Sequence, residues 1–118
     1  MVIKKGMEIC GIGVDIEEVA RFKSISQKPR LLKKIFTNRE LAYCKRFLAP
    51  EQCLAARFAG KEAIFKALGK KYQMIRLNEI EILSGQNSAP SVRLQNKMLK
   101  QKGLRCMLSL SHTRDKAI

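Results

Sequence analysis

Two turns of one stretch hold most of the chain's candidate chemistry. In Arg57-Phe58-Ala59-Gly60-Lys61-Glu62-Ala63-Ile64-Phe65-Lys66-Ala67-Leu68-Gly69, Arg57 to Lys61 and Glu62 to Lys66 both stand at i, i+4. On a helix that spacing puts three cations and one carboxylate on adjoining ridges. One reading is a solvated face with ordinary ion pairs, each contributing about 0.2–0.5 kcal/mol. The other follows from the small residues around them. Ala55, Ala56, Ala59, Gly60, Ala63 and Ala67 let another backbone or a ligand come close. A carboxylate flanked by cations there can hold a divalent ion while the cations hold phosphate oxygens.

Other reactive residue types are sparse. Asp15 ends an apolar, glycine-containing run (Met7 to Asp15) just before a helical pattern at Glu17 to Ser26, so its local reading is a helix cap. Gly11 and Gly13 look like half of a dinucleotide fingerprint, but Ile16 stands where the third glycine belongs, and that signal is set aside. The single histidine, His112, follows an apolar run and reads either as a structural strand end or as a phosphate contact. The four cysteines (Cys10, Cys44, Cys53, Cys106) form no C-x-x-C pair and, with one histidine, no zinc set. They are expected to be reduced, mostly buried thiols.

The elements that must position these groups follow from punctuation and periodicity. Met7 to Asp15 suits a first strand. Pro29 opens a short basic helix running to Ile35, and Thr37-Asn38-Arg39-Glu40 is a capping box for a helix to about Phe47. Pro50 starts the long helix, Leu54, Phe58, Phe65 and Leu68 give it a buried stripe, and Gly69 stops it. Ile75 to Leu83 reads as extended, Ser84 to Pro90 as a turn and Ser91 to Leu94 as a returning strand. Asn96 to Lys102 resembles a short helix closed by Gly103, and Leu104 to Ser111 a last strand. Helices grouped between strands predict an α+β domain with an antiparallel sheet covered by helices on one side. At 118 residues, 1–118 is one domain.

Net charge is +14, which calls for a polyanionic partner: nucleic acid, an acidic protein or a phosphorylated small molecule. Nine basic residues and one acid, Glu40, lie between Arg21 and Arg46. A nucleic-acid-binding domain would account for that segment. Its aromatics (Phe22, Phe36, Tyr43, Phe47) stand at core-like spacings, however, and no nucleic-acid motif is present. No apolar run approaches the roughly 18–20 residues needed to span a bilayer. The amino end lacks the apolar stretch of a signal peptide, so the expected location is the cytoplasm.

Three blocks together resemble the bacterial holo-acyl-carrier-protein synthases, the small class of 4′-phosphopantetheinyl transferases. They are Gly11-Ile12-Gly13-Val14-Asp15-Ile16 with Arg21-Phe22, the Arg57 to Ala63 and Lys66 to Gly69 segments, and Ser109-Leu110-Ser111-His112. Phe36-Thr37, Glu40 and Tyr43 add a weaker fourth match. The resemblance implies the transferase fold and transfer of the phosphopantetheine arm of coenzyme A to a serine of apo acyl carrier protein. It also implies Mg²⁺ as cofactor, release of adenosine 3′,5′-bisphosphate and a role in fatty acid biosynthesis.

By the same resemblance Asp15 and Glu62 are metal ligands and, with Lys66, the catalytic set. Arg57, Phe58, Lys61, Lys66, Pro90, His112 and Thr113 would contact the coenzyme, with Ser111 in the same corner; Phe58 has a core reading beside that one. Arg21 would dock the acidic carrier protein, and Lys23, Lys28 and Arg30 are candidates by charge. The implied assembly is a homotrimer with sites between subunits, without nucleic-acid or membrane partners. Two departures stand out. Ser88-Ala89-Pro90 replaces a Gly-x-Pro turn, and the family's final strand continues past the position of Ile118.

Overall fold

Proline and glycine punctuation sets the boundaries of the helices. The computed structural model describes residues 1–4, 8–84 and 89–118. In chain order its elements are β1 (Val2–Lys4), β2 (Glu8–Gly11), β3 (Glu17–Glu18), α1 (Val19–Ile25), α2 (Pro29–Ile35), α3 (Asn38–Cys44), α4 (Pro50–Leu68), β4 (Ile80–Ser84), β5 (Pro90–Leu94), α5 (Lys97–Gln101), β6 (Arg105–Cys106) and β7 (Lys116–Ala117). Single 3-10 turns lie at Lys70–Tyr72 and Leu77–Glu79. Pro29 and Pro50 open their helices, and Gly69 leaves α4 at φ 82°, a conformation that favours glycine. The Thr37 box is present in full: Thr37 Oγ1 accepts from the Glu40 amide (3.2 Å) and Glu40 accepts from the Thr37 amide (2.8 Å).

The long helix is the spine of an α+β domain. Phe22, Ile25, Ile35, Phe36 and Ala117 pack with its first half, at Leu54 and Phe58. Val2, Ile75, Ile80, Leu94 and Leu99 pack with its second half, at Ile64, Ala67 and Leu68. Between Cys53 and Lys61 the helix passes between the two cores and is buried all round, not on one stripe. Hence Arg57, Gly60 and Lys61 are buried with the apolar positions, while Phe65 is only half-buried.

The strands are antiparallel but divided among three small sheets, ordered β2-β1-β6, β3-β7 and β4-β5. Three sequence boundaries shift accordingly. The expected strand at 7–15 is paired only over β2, and β1 before it was not foreseen; residues 5–7 lie outside the described residues. The expected last strand, Leu104 to Ser111, is paired as β6 with β1, and its far end exchanges backbone bonds with Ile118. One extended segment thus changes partner along its length, which alternation of residue types does not encode. Lys116–Ala117 forms β7 against β3. Residues 85–88, with Ser88 and most of the expected turn, lie outside the described residues.

The cysteine expectation is corrected. Cys44, at the end of α3, and Cys53, in the first turn of α4, are joined as a disulfide with Cα atoms 5.5 Å apart. The tight connection between two helices brings them together, whereas the sequence shows only a separation of nine. Cys10 is free and exposed, and Cys106 is free and half-buried.

A closed charge cluster ties α3, α4 and β4 together. Lys61 is fully buried, its Nζ 2.8 Å from Glu40 Oε1, and it donates to the carbonyls of Leu77 (2.9 Å) and Ile80. The second oxygen of Glu40 accepts from the Ile82 amide (2.9 Å). Buried Glu81 accepts from the Thr37 hydroxyl (2.6 Å) and faces Arg93 and Arg39 at 3.6 and 3.8 Å. No helix among the described residues is long and apolar enough to cross a membrane.

Candidate active site

Gly11 and Gly13 bring the amino-terminal segment onto the spine. A Cβ at Gly11 would collide with the carbonyl oxygen of Ala67, and one at Gly13 with that of Ala63. The chain therefore lies directly on one turn of α4, and two residues later Asp15 reaches that helix. Lys66 Nζ donates to Asp15 Oδ1 (3.0 Å) and to the Val14 carbonyl (3.1 Å). Asp15 is thereby held by an ion pair and not as the cap of α1, whose N-cap is Glu18 without a side-chain bond.

The other Asp15 oxygen, Oδ2, is buried and has no hydrogen-bond partner. Glu62 shares this corner. Burial foremost, and then the Asp15 charge, raise its pKa, partly offset by Lys66 and Arg21. Glu17, on β3, is raised by burial and by Asp15, against the lowering effect of Arg21 at 3.2 Å. Glu17 was not singled out in the sequence; its signal is the two-residue period that puts it on the side of Asp15 in an extended chain. Negative charge is crowded here and only partly neutralised. Such a corner favours a cation.

A second group gathers at the first half of α4. Arg57 lines a cavity of about 410 Å³ with Tyr43, Gln52, Ser84, Pro90 and His112. Its guanidinium donates to Ser84 Oγ (2.9 Å) and Cys53 Sγ (3.2 Å) and lies 4.4 Å from the Tyr43 ring centroid. Nε has no partner, and burial lowers the pKa, partly offset by Tyr43 and Glu40. Leu110 lines this cavity and also a second cleft of about 250 Å³ that contains Asp15, Gly60, Ala63 and Ser111. The strand-like segment before His112 is thus a shared wall between a carboxylate corner and a cationic cavity.

Not every expected contact lies at these openings. Lys61, expected as a coenzyme contact, is fully buried in this structure, and Glu40 and two carbonyls occupy its donors. Phe58 takes the core position that was its other reading, its ring packed on Phe22 (5.3 Å between centroids) with the Arg21 guanidinium 5.6 Å from its centroid. Thr113 Oγ1 accepts from the Asp115 and Lys116 amides (3.2 and 3.1 Å), shaping the turn that pairs His112 with Ala117. Pro90 is half-buried in the cavity wall. Arg21, Lys23, Lys28 and Arg30 are exposed along α1 and into α2.

The profile of the 4′-phosphopantetheinyl transferase superfamily matches residues 11–116. A holo-[acyl-carrier-protein] synthase of Chlamydia felis is 42% identical over 115 residues, 94% of this chain and 93% of that protein. The crystal structure of the Neisseria meningitidis holo-[acyl-carrier-protein] synthase aligns with a TM-score of 0.80 at 29% identity, covering 93% of this chain and 94% of that one. The Bacillus anthracis enzyme, solved in complex with CoA (3′,5′-ADP), aligns at 0.75 and 27% identity over 92% and 90% of the two chains.

Proposed function

Because this chain belongs to the 4′-phosphopantetheinyl transferase superfamily, we propose that it transfers the phosphopantetheine arm of coenzyme A to a serine of an apo acyl carrier protein. The enzyme class comes with the family. The observation that carries the reading to particular residues is Asp15 Oδ2, a buried carboxylate oxygen without a partner beside Glu62 and Lys66.

The donor set fits Mg²⁺. Among the described residues no group of three His, Cys, Asp or Glu side chains is arranged around one point. Two carboxylates, Asp15 and Glu62, suit an ion that binds few protein ligands and keeps oxygens from phosphate and water. When bound, Mg²⁺ supplies positive charge to the diphosphate oxygens that become more negative in the transition state.

The chain's own groups do the rest. Attack of the serine oxygen on the phosphorus bearing the pantetheine arm forms one P–O bond and breaks another, releasing adenosine 3′,5′-bisphosphate. Lys66, anchored on Asp15 and Val14, offers an ammonium to the same oxygens from a fixed position. The serine proton passes to Glu62 in the same corner or to water there. Arg57 and His112 offer donors to the nucleotide's phosphates in the cationic cavity.

The exposed cations Arg21, Lys23, Lys28 and Arg30 are the docking surface for an acidic carrier protein, which speeds encounter and sets orientation. We further read the protein as a cytoplasmic homotrimer with sites between subunits, serving fatty acid biosynthesis. Exposed Ile9, Ile12, Val14 and Ile16 support a subunit contact beside the carboxylate corner. The test is the intact mass of an apo acyl carrier protein incubated with this protein, coenzyme A and Mg²⁺, beside an EDTA control. A metal-dependent gain of one phosphopantetheine is expected. No gain with several carrier proteins would overturn the reading.

A further inference from the structure

Cys44 and Cys53 stand where a sulfur–sulfur bond touches the proposed coenzyme cavity. Both belong to the same core, Cys44 at 1% and Cys53 at 9% exposure, and of the two Cys53 also forms part of the cavity wall. One helical turn further on, Arg57 donates to Cys53 Sγ at 3.2 Å. The guanidinium's other contacts, Ser84 Oγ and the Tyr43 ring, come from β4 and from the residue beside Cys44. Sulfur position and guanidinium position are therefore mechanically linked.

Two thiols do not fit in the place of one disulfide. Bonded sulfurs sit about 2 Å apart, and unbonded ones need about 3.5–4 Å. Of the two, Cys53 borders open space, so the added distance is taken by Cys53, toward the cavity and Arg57. We propose that Cys44 and Cys53 are a reversible oxidation site whose closure fixes Arg57 in the cavity wall and tightens coenzyme A binding, on the reading of that cavity as the coenzyme site.

The oxidant is a low-molecular-weight disulfide entering by the cavity. The Cys53 thiolate attacks one of its sulfurs, forming a mixed disulfide and releasing one small thiolate. The Cys44 thiolate then displaces the second. Two protein S–H protons leave and two small thiols form, so atoms and electrons balance. The adjacent guanidinium offsets negative charge on Cys53 as it attacks. The other cysteines lie elsewhere: Cys10 and Cys106 line separate clefts, and burial pushes the Cys106 thiol up to about 11.

The test uses a Cys10→Ala/Cys106→Ala variant, which keeps only the pair, equilibrated in buffers from reduced to oxidised glutathione and then alkylated. Intact mass is expected to show both alkylation events lost together, with no retained glutathione. Two free thiols persisting in excess oxidised glutathione, or glutathione adducts that never close, would overturn the proposal. Calorimetric titration with coenzyme A is then run on both forms and on Cys44→Ala/Cys53→Ala. The oxidised form is expected to bind about fivefold more tightly than the reduced form, roughly the worth of one well-placed hydrogen bond. Equal affinity in the two forms would refute the link to Arg57. Closure without coenzyme binding in either form would overturn the cavity assignment instead, while leaving the oxidation site standing.

Discussion

Lys61 and Lys66 stand five residues apart on the same helix, each paired with a carboxylate from elsewhere in the chain, yet their surroundings are opposite. Lys61 is fully buried, and Glu40, Leu77 and Ile80 satisfy it. Lys66 is 55% exposed, and its partner Asp15 keeps a buried oxygen with nothing bound. Five residues are about 140° around a helix, which puts one lysine into the core and the other onto a cleft. The difference teaches where to look for function. A buried charge cluster whose donors and acceptors are all used holds the fold, while one that leaves an acceptor over and carboxylates crowded has room for a ligand.

Breaking the closed cluster should have the largest effect. Lys61→Met removes the cation and leaves Glu40 charged in a dry site, at a cost of about 3–5 kcal/mol. Urea unfolding should show the midpoint falling by that loss divided by an unchanged m-value, with the folded fraction keeping its coenzyme affinity. Lost affinity at unchanged stability would break the comparison, by making Lys61 a coenzyme contact after all.

Breaking the open cluster should do the reverse. Asp15→Ala removes a proposed oxygen ligand of Mg²⁺ and the anchor of Lys66, so transfer to carrier protein should fall about 100-fold or more. Its exposed ion pair contributes little, about 0–1 kcal/mol, so the melting temperature should stay within a few degrees. Loss of activity that only follows loss of folding would make Asp15 another structural residue.

The same contrast explains what could be read in the sequence. The long helix, its proline start and glycine stop, the Thr37 box and the α+β order were legible because caps and breakers act locally. Glu62 and Lys66 stood out by their i, i+4 spacing, but Asp15 was joined to them through a family resemblance, since no periodicity joins residue 15 to residue 62. Gly11 and Gly13 resembled a nucleotide loop, whereas in the fold they are the contact that delivers Asp15 to α4. The burial of Lys61 was not legible, because its i, i+4 spacing is equally that of a solvated face. Glu40 on α3, the Phe36 ring and the carbonyls of Leu77 and Ile80, all distant in sequence, close over it. The Cys44–Cys53 pair and the division into three sheets depend on partners far along the chain or across a turn, which residue types alone do not name.

The smallest effect sharpens the comparison most, because its sign differs between the clusters. Glu62 has a pKa raised above its ordinary 4.5, so in the folded metal-free protein its ionised form is the disfavoured one. The stabilisation that comes from keeping Glu62 protonated is complete below 4.5 and is lost as pH rises through the raised value. At pH 7 the wild type therefore carries a mild destabilisation that Glu62→Gln removes. The melting temperature of the variant should rise by about 1–3 °C, the small size reflecting solvent screening of a partly exposed group. Below pH 4.5 the two proteins should converge. With Mg²⁺ and coenzyme A added the order should invert, since ligand binding stabilises only a protein that can take the ligand. A carboxylate that costs stability alone and returns it with its ligands is a site residue. A Glu62→Gln variant less stable at pH 7 than the wild type would place Glu62 beside Glu40, among the groups that hold the fold.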